Sequence, residues 1–149
     1  MIGLFIIAHA PLASAFLAAS AHTYPEALPT IVAYDVPPGA QFEQSLAEAS
    51  GLLAAMASAE TLILTDVFGA TPCNIAHRLA GRDGVRAVAG VSVPMLWRVL
   101  NYRDRTLDEL VMIAIAGAAQ GAMQVASNRP QNQVQKPPSH DPLDPHHQQ

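Results

Sequence analysis

Two short segments hold the residue types that could transfer or bind a phosphoryl group. In Ile7-Ala8-His9-Ala10-Pro11 an imidazole follows directly on an apolar run. In Thr65-Asp66-Val67-Phe68-Gly69-Ala70-Thr71-Pro72 a carboxylate precedes a small-residue loop and a hydroxyl. A neutral imidazole is a competent nucleophile near neutral pH, and a carboxylate on one ring nitrogen fixes the tautomer that frees the other to attack. The same carboxylate would stabilise the positive charge that develops on the ring. Gly69 and Ala70 let a ligand approach the backbone, and Thr71 offers a hydroxyl. Pro11 and Pro72 mark helix starts, whose free N–H groups and dipoles attract anions. His9 and Asp66 are thus the candidate catalytic pair, with Ala10, Gly69, Ala70 and Thr71 as candidates for holding phosphate.

Each feature also has a plainer explanation. A histidine at a strand end is often a structural hydrogen-bonder, and Asp66 before a glycine-containing loop could cap the turn or the helix. Gly69-Ala70-Thr71-Pro72 lacks the Gly-Lys-Ser/Thr ending of a P-loop. Cys73, just inside a helix start, could be a reactive thiol, but burial as a small hydrophobe is the simpler expectation. His22 and His77 read as helix-surface residues.

The two segments must be held by the elements around them. Ile2–Ala8, Thr30–Tyr34, Thr61–Thr65 and Val85–Val91 are short, largely continuous apolar runs, the pattern of parallel strands buried on both faces. Helical spacing fills the intervals. Leu12, Phe16 and Ala19 share one helix face; Phe42, Leu46, Leu53 and Met56 line another after the Pro37-Pro38-Gly39 turn. Further helices are expected from Pro72 to Leu79, from Met95 to Tyr102 and from Leu107 to about Ala126. Alternating strands and helices give an α/β three-layer sandwich with a parallel central sheet. In such sheets ligands collect at the carboxyl ends of the strands, where adjacent first and third strands would bring His9 and Asp66 face to face.

Composition narrows the field. The 149 residues are 50% hydrophobic and 13% charged, which places the chain among folded domains. A net charge of −4, with no Lys or Arg before Arg78, argues against nucleic-acid binding. The same absence argues against reading Ile2 to Ala21 as a signal peptide, and Leu110–Ala119 is too short to span a bilayer. Cys73 is the single cysteine, so no internal disulfide forms and a reducing, cytoplasmic setting is expected. After Asn128 the residues become Pro-, Gln- and His-rich. We therefore divide the chain into a domain over 1–127 and a disordered tail over 128–149, whose His140, His146 and His147 have no scaffold to make a metal site.

Three segments, taken in order and spacing, carry a family resemblance. They are the apolar strand into His9, Leu62–Asn74 around Asp66, and Val88-Ala89-Gly90-Val91-Ser92-Val93-Pro94-Met95-Leu96. From Ile2 to about Val125 the chain resembles the IIA component (EIIA) of the mannose family of the phosphoenolpyruvate-dependent sugar phosphotransferase system (PTS). The resemblance implies a phosphotransferase component without cofactor or metal: His9 would accept phosphate on Nε2 from the carrier protein HPr and pass it to a IIB (EIIB) component, with Asp66 on the other ring nitrogen. It also implies a mainly parallel sheet and a homodimer that exchanges a terminal antiparallel strand, here expected near Gly121 to Ser127. No IIB or IIC segment is found in the chain, so the IIB partner is expected to be separate and contact with a membrane permease peripheral. Ala10-Pro11 and Gly69-Ala70-Thr71 depart from the usual family residues, Thr71 keeping the hydroxyl that Ser supplies elsewhere. Two other readings stand beside this one: a regulatory phosphoprotein uncoupled from transport, including a dihydroxyacetone kinase donor subunit, and a non-enzymatic module that binds a phosphate-bearing ligand.

Overall fold

Strand β1 (Gly3–His9) is buried over all but its last residue, because its alternating side chains serve two separate cores. Leu4, Ile6 and Ala8 face one core; Phe5 and Ile7 face the other. The computed structural model describes residues 1–126, so the segment 128–149 expected as a tail lies outside the described residues. Strands β2 (Ile31–Val36), β3 (Thr61–Thr65) and β4 (Val85–Ala89) join β1 in the order β2-β1-β3-β4, and every pairing is parallel.

Helices cover both faces, giving the three layers expected. Helices α1 (Leu12–Thr23), α4 (Val93–Asn101) and α5 (Leu107–Gly121) pack over the face carrying Leu4, Ile6, Leu62 and Leu64. Helices α2 (Phe42–Ala55) and α3 (Thr71–Leu79) pack over Phe5, Ile7 and Ile63. A short 3-10 turn, Pro25–Thr30, leads into β2. Helix α5 begins with a capping box in which the Thr106 hydroxyl accepts from Glu109 N–H and the Glu109 carboxylate accepts from Thr106 N–H. Those bonds hold the Glu109 carboxyl below its ordinary value. Leu64 is fully buried at the centre of the first core. Leu64→Ala is expected to lower stability by about 2–5 kcal/mol, read as a shift in the urea midpoint.

The elements match the sequence pattern with local differences. Strand β2 runs two residues beyond Tyr34, because Val36 is buried against α2 and α3 and extends the apolar register past Asp35. Strand β4 stops at Ala89; Gly90 takes φ +91° and its N–H turns back to the Thr65 and Asp66 carbonyls. The buried face of α1 is Ala13 and Ser20 with Phe16 and Leu17, one position round from the expected Leu12–Phe16–Ala19 face. Small Ala13 permits the close approach, and Ser20 satisfies its hydroxyl on the Phe16 carbonyl at 2.9 Å. Leu12 is left exposed. Helix α5 ends at Gly121, five residues before the expected limit; Gly121 lies so near Pro94 that a Cβ would fall 2.5 Å from its ring. Residues 122–126 form no strand, so among the described residues the sheet has no antiparallel member.

Candidate active site

The register of the sheet decides the site. Ile7 of β1 pairs with Thr65 of β3, so His9 and Asp66 leave neighbouring strands at the same edge. Asp66 Oδ2 accepts the His9 backbone N–H at 3.0 Å and stands 2.6 Å from His9 Nδ1. Its Oδ1 accepts the Val67 N–H at 2.9 Å and the Thr65 hydroxyl at 3.4 Å. Burial alone would raise the Asp66 carboxyl, but the bonds from the His9 backbone and ring and from Val67 outweigh it and hold the group below the usual aspartate value. An ionised carboxylate is acceptor-only, so Nδ1 carries the proton of this contact, and in the neutral ring that tautomer leaves the lone pair on Nε2. The carboxylate is largely enclosed, with 12% of its side chain exposed, whereas the imidazole is 50% exposed. A fixed base on one side and open solvent on the other suit nucleophilic attack by Nε2.

The loop after Asp66 supplies the other expected features. Gly69 has φ +87°, a conformation that favours glycine, and Ala70 then takes an extended backbone as the N-cap of α3. Ala70 makes no side-chain cap, and the first amide to close onto it is Asn74 N–H at 3.0 Å. The N–H groups of Thr71 and Cys73 therefore lie in the first turn, ahead of any helical acceptor, beside the positive end of the dipole. Ala10 is placed differently: its N–H donates to the Val36 carbonyl at 3.0 Å. Cys73 is half-buried, and His22 and His77 are exposed on their helices. Leu12, Val67 and Phe68 add apolar surface at this edge, Phe68 being 87% exposed.

Two residues escaped the sequence reading. Asp35, paired with Ala8 across β1 and β2, accepts Ser14 N–H at 3.1 Å and the Ser14 hydroxyl at 2.5 Å. A carboxylate from a neighbouring strand thus caps the first turn of α1, a position that helix polarity favours for an anion. Ending the strand at Tyr34 hid it; a signal did exist, since Asp35 and Asp66 are both acidic residues at strand ends beside His9. No cluster of three or more potential metal ligands occurs among the described residues. No helix among them is long and apolar enough to cross a membrane.

The fold is that of PTS EIIA proteins. A mannose/sorbose-specific IIA subunit from Enterococcus faecalis superposes with a TM-score of 0.78 at 22% identity, over 86% of this chain and 97% of that one. The EIIA component from Streptococcus agalactiae gives 0.73 at 21%, over 83% and 97%. The IIA protein associated with the fucose utilization operon of Streptococcus pneumoniae gives 0.62 at 23%, over 82% and 91%. No curated protein sequence matches significantly. The family model EIIA-man, described as PTS system fructose IIA component, matches residues 3–115; the chain belongs to this mannose-type EIIA family and is a component of a sugar phosphotransferase system.

Proposed function

We infer that the protein is a phosphoryl carrier that takes phosphate from phospho-HPr on His9 Nε2 and delivers it to a separate IIB component in the cytoplasm. The observation that carries this reading is the 2.6 Å contact between His9 Nδ1 and Asp66 Oδ2 behind a half-exposed ring. Nε2 attacks the phosphorus of the donor's phosphohistidine; the new N–P bond forms as the donor's N–P bond breaks, and the donor nitrogen leaves with its electron pair. Asp66 stays ionised and offsets the charge gained by the His9 ring, and in this reading the Thr71 and Cys73 amides in the first turn of α3 and the Thr71 hydroxyl serve the transferred oxygens. Transfer back out to IIB runs through the same geometry in reverse. The test is incubation with phosphoenolpyruvate, Enzyme I and HPr, followed by mass-spectrometric mapping. One acid-labile, base-stable phosphate on His9 is expected; no covalent phosphate, or phosphate elsewhere, would leave a phosphate-binding module as the better reading.

Phe68, Val67 and Leu12 make an apolar rim onto which a transient partner can dock. Phe68→Ser is expected to raise the KM for phospho-HPr roughly tenfold while leaving the single-turnover rate at saturation nearly unchanged. The homodimer belongs to the same reading. Among the described residues strand β4 is an open sheet edge, α5 exposes Met112 and Ile115, and Met123 and Val125 are exposed in the non-helical segment that follows. Exchange of that segment onto a second copy's β4 would cover both.

A further inference from the structure

At the opposite ends of the strands lies a cleft of about 530 Å³ that the phosphoryl-transfer reading does not use. Thr30, Ser58, Glu60, Arg103, Asp104 and Arg105 contribute to its walls. Thr30 and Glu60 immediately precede β2 and β3, whereas His9 ends β1; the seven residues of β1 separate the two regions by about 20 Å. Arg103 is the unusual member. It is 7% exposed, yet no carboxylate stands within ion-pairing distance of it among the described residues, and its Nε has no hydrogen-bond partner. Its Nη1 donates to the Thr30 hydroxyl, which itself donates to the Ala27 carbonyl at 2.7 Å, so one arm of the guanidinium is tied to the turn before β2 while Nε is closed to solvent. Burial pulls the Arg103 guanidinium below its ordinary value, and Glu26 acts on it only through space. A buried cation without a paired anion is costly, and a guanidinium fork is well suited to an oxyanion.

We propose that this cleft binds a small phosphorylated polyhydroxyl metabolite, its phosphate against Arg103 and Arg105 and its hydroxyls on Glu60, Asp104 and Ser58. Two guanidinium groups select the phosphate, and the carboxylates at the mouth accept from hydroxyl hydrogens while disfavouring polyanions. A volume of this size accommodates a monosaccharide phosphate. The experiment titrates the full chain with glucose 6-phosphate, glucose and inorganic phosphate, followed by amide chemical shifts and calorimetry. Glucose 6-phosphate is expected to shift the amides of Thr30, Ser58, Arg103 and Arg105, with glucose binding at least tenfold more weakly (about one order of magnitude). Arg105→Gln, at an exposed residue, is expected to weaken binding about tenfold, and Arg103→Gln, checked for folding by circular dichroism, to abolish it. The proposal is overturned by an absence of shifts up to about 10 mM ligand, by shifts confined to the surroundings of His9, or by unchanged affinity in a folded Arg103→Gln and in Arg105→Gln. Phosphorylation of His9 is read separately, so failure here leaves the carrier assignment standing.

Discussion

His9→Ala is expected to reduce transfer of phosphate from phospho-HPr to background while the protein stays folded. The imidazole is half exposed and contributes little to either core, so its removal opens no buried cavity. The His9 backbone N–H still reaches Asp66 at 3.0 Å and keeps β1 and β3 locked at this edge. Stability should therefore change by about 1 kcal/mol, the worth of the lost side-chain hydrogen bond. Labelling with radioactive phosphoenolpyruvate through Enzyme I and HPr gives the first readout, and thermal unfolding the second. His9→Gln provides a polar control with the same expected loss. Label retained at wild-type level in either variant would move the nucleophile elsewhere.

Asp66→Asn should slow transfer by roughly 100-fold or more, since an amide keeps the shape but cannot balance the charge on the ring. The change also disturbs hydrogen bonding. Asp66 accepts from the His9 N–H, the His9 ring, Val67 N–H and the Thr65 hydroxyl, and an amide NH₂ at either oxygen position would face donors. A pH series separates the two effects. The Asp66 carboxyl is depressed in the folded protein, so the stability it contributes is present above the unfolded carboxylate value near 4 and is lost as pH falls through the lower folded value. The wild-type advantage over Asp66→Asn in unfolding free energy is therefore expected to be full at neutral pH and to shrink below about pH 4. A difference independent of pH would mean that the ionised carboxylate gains nothing from its donors.

The sheet was legible because its strands are buried on both faces. Continuous apolar runs such as Leu62-Ile63-Leu64 can be little else in an α/β chain, but the adjacency of the first and third strands that brings His9 to Asp66 came from the structure. What stayed hidden depended on tertiary partners. The face of α1 rotated because Ala13 and Ser20, one small and one self-satisfied by the Phe16 carbonyl, fit against the sheet better than Leu12. Asp35 was obscured because its helix-capping partner, Ser14, is 21 residues away in sequence. The buried Arg103 could not be told from a surface arginine, since its enclosure comes from the turn before β2, 73 residues upstream at Thr30.

The Asp35–Ser14 contact bears on how readily a carrier lets go. One helix start is already neutralised by a side chain of the protein, which leaves the amino end of α3 as the main electropositive backbone for a guest on His9. A helix end contributes about 0.3–1 kcal/mol toward a nearby anion, so engaging one instead of two would hold a phosphoryl group proposed on His9 less tightly. On the proposed carrier reading, a relay intermediate must sit between donor and acceptor in group-transfer potential, and an α1 start already occupied by Asp35 would favour release.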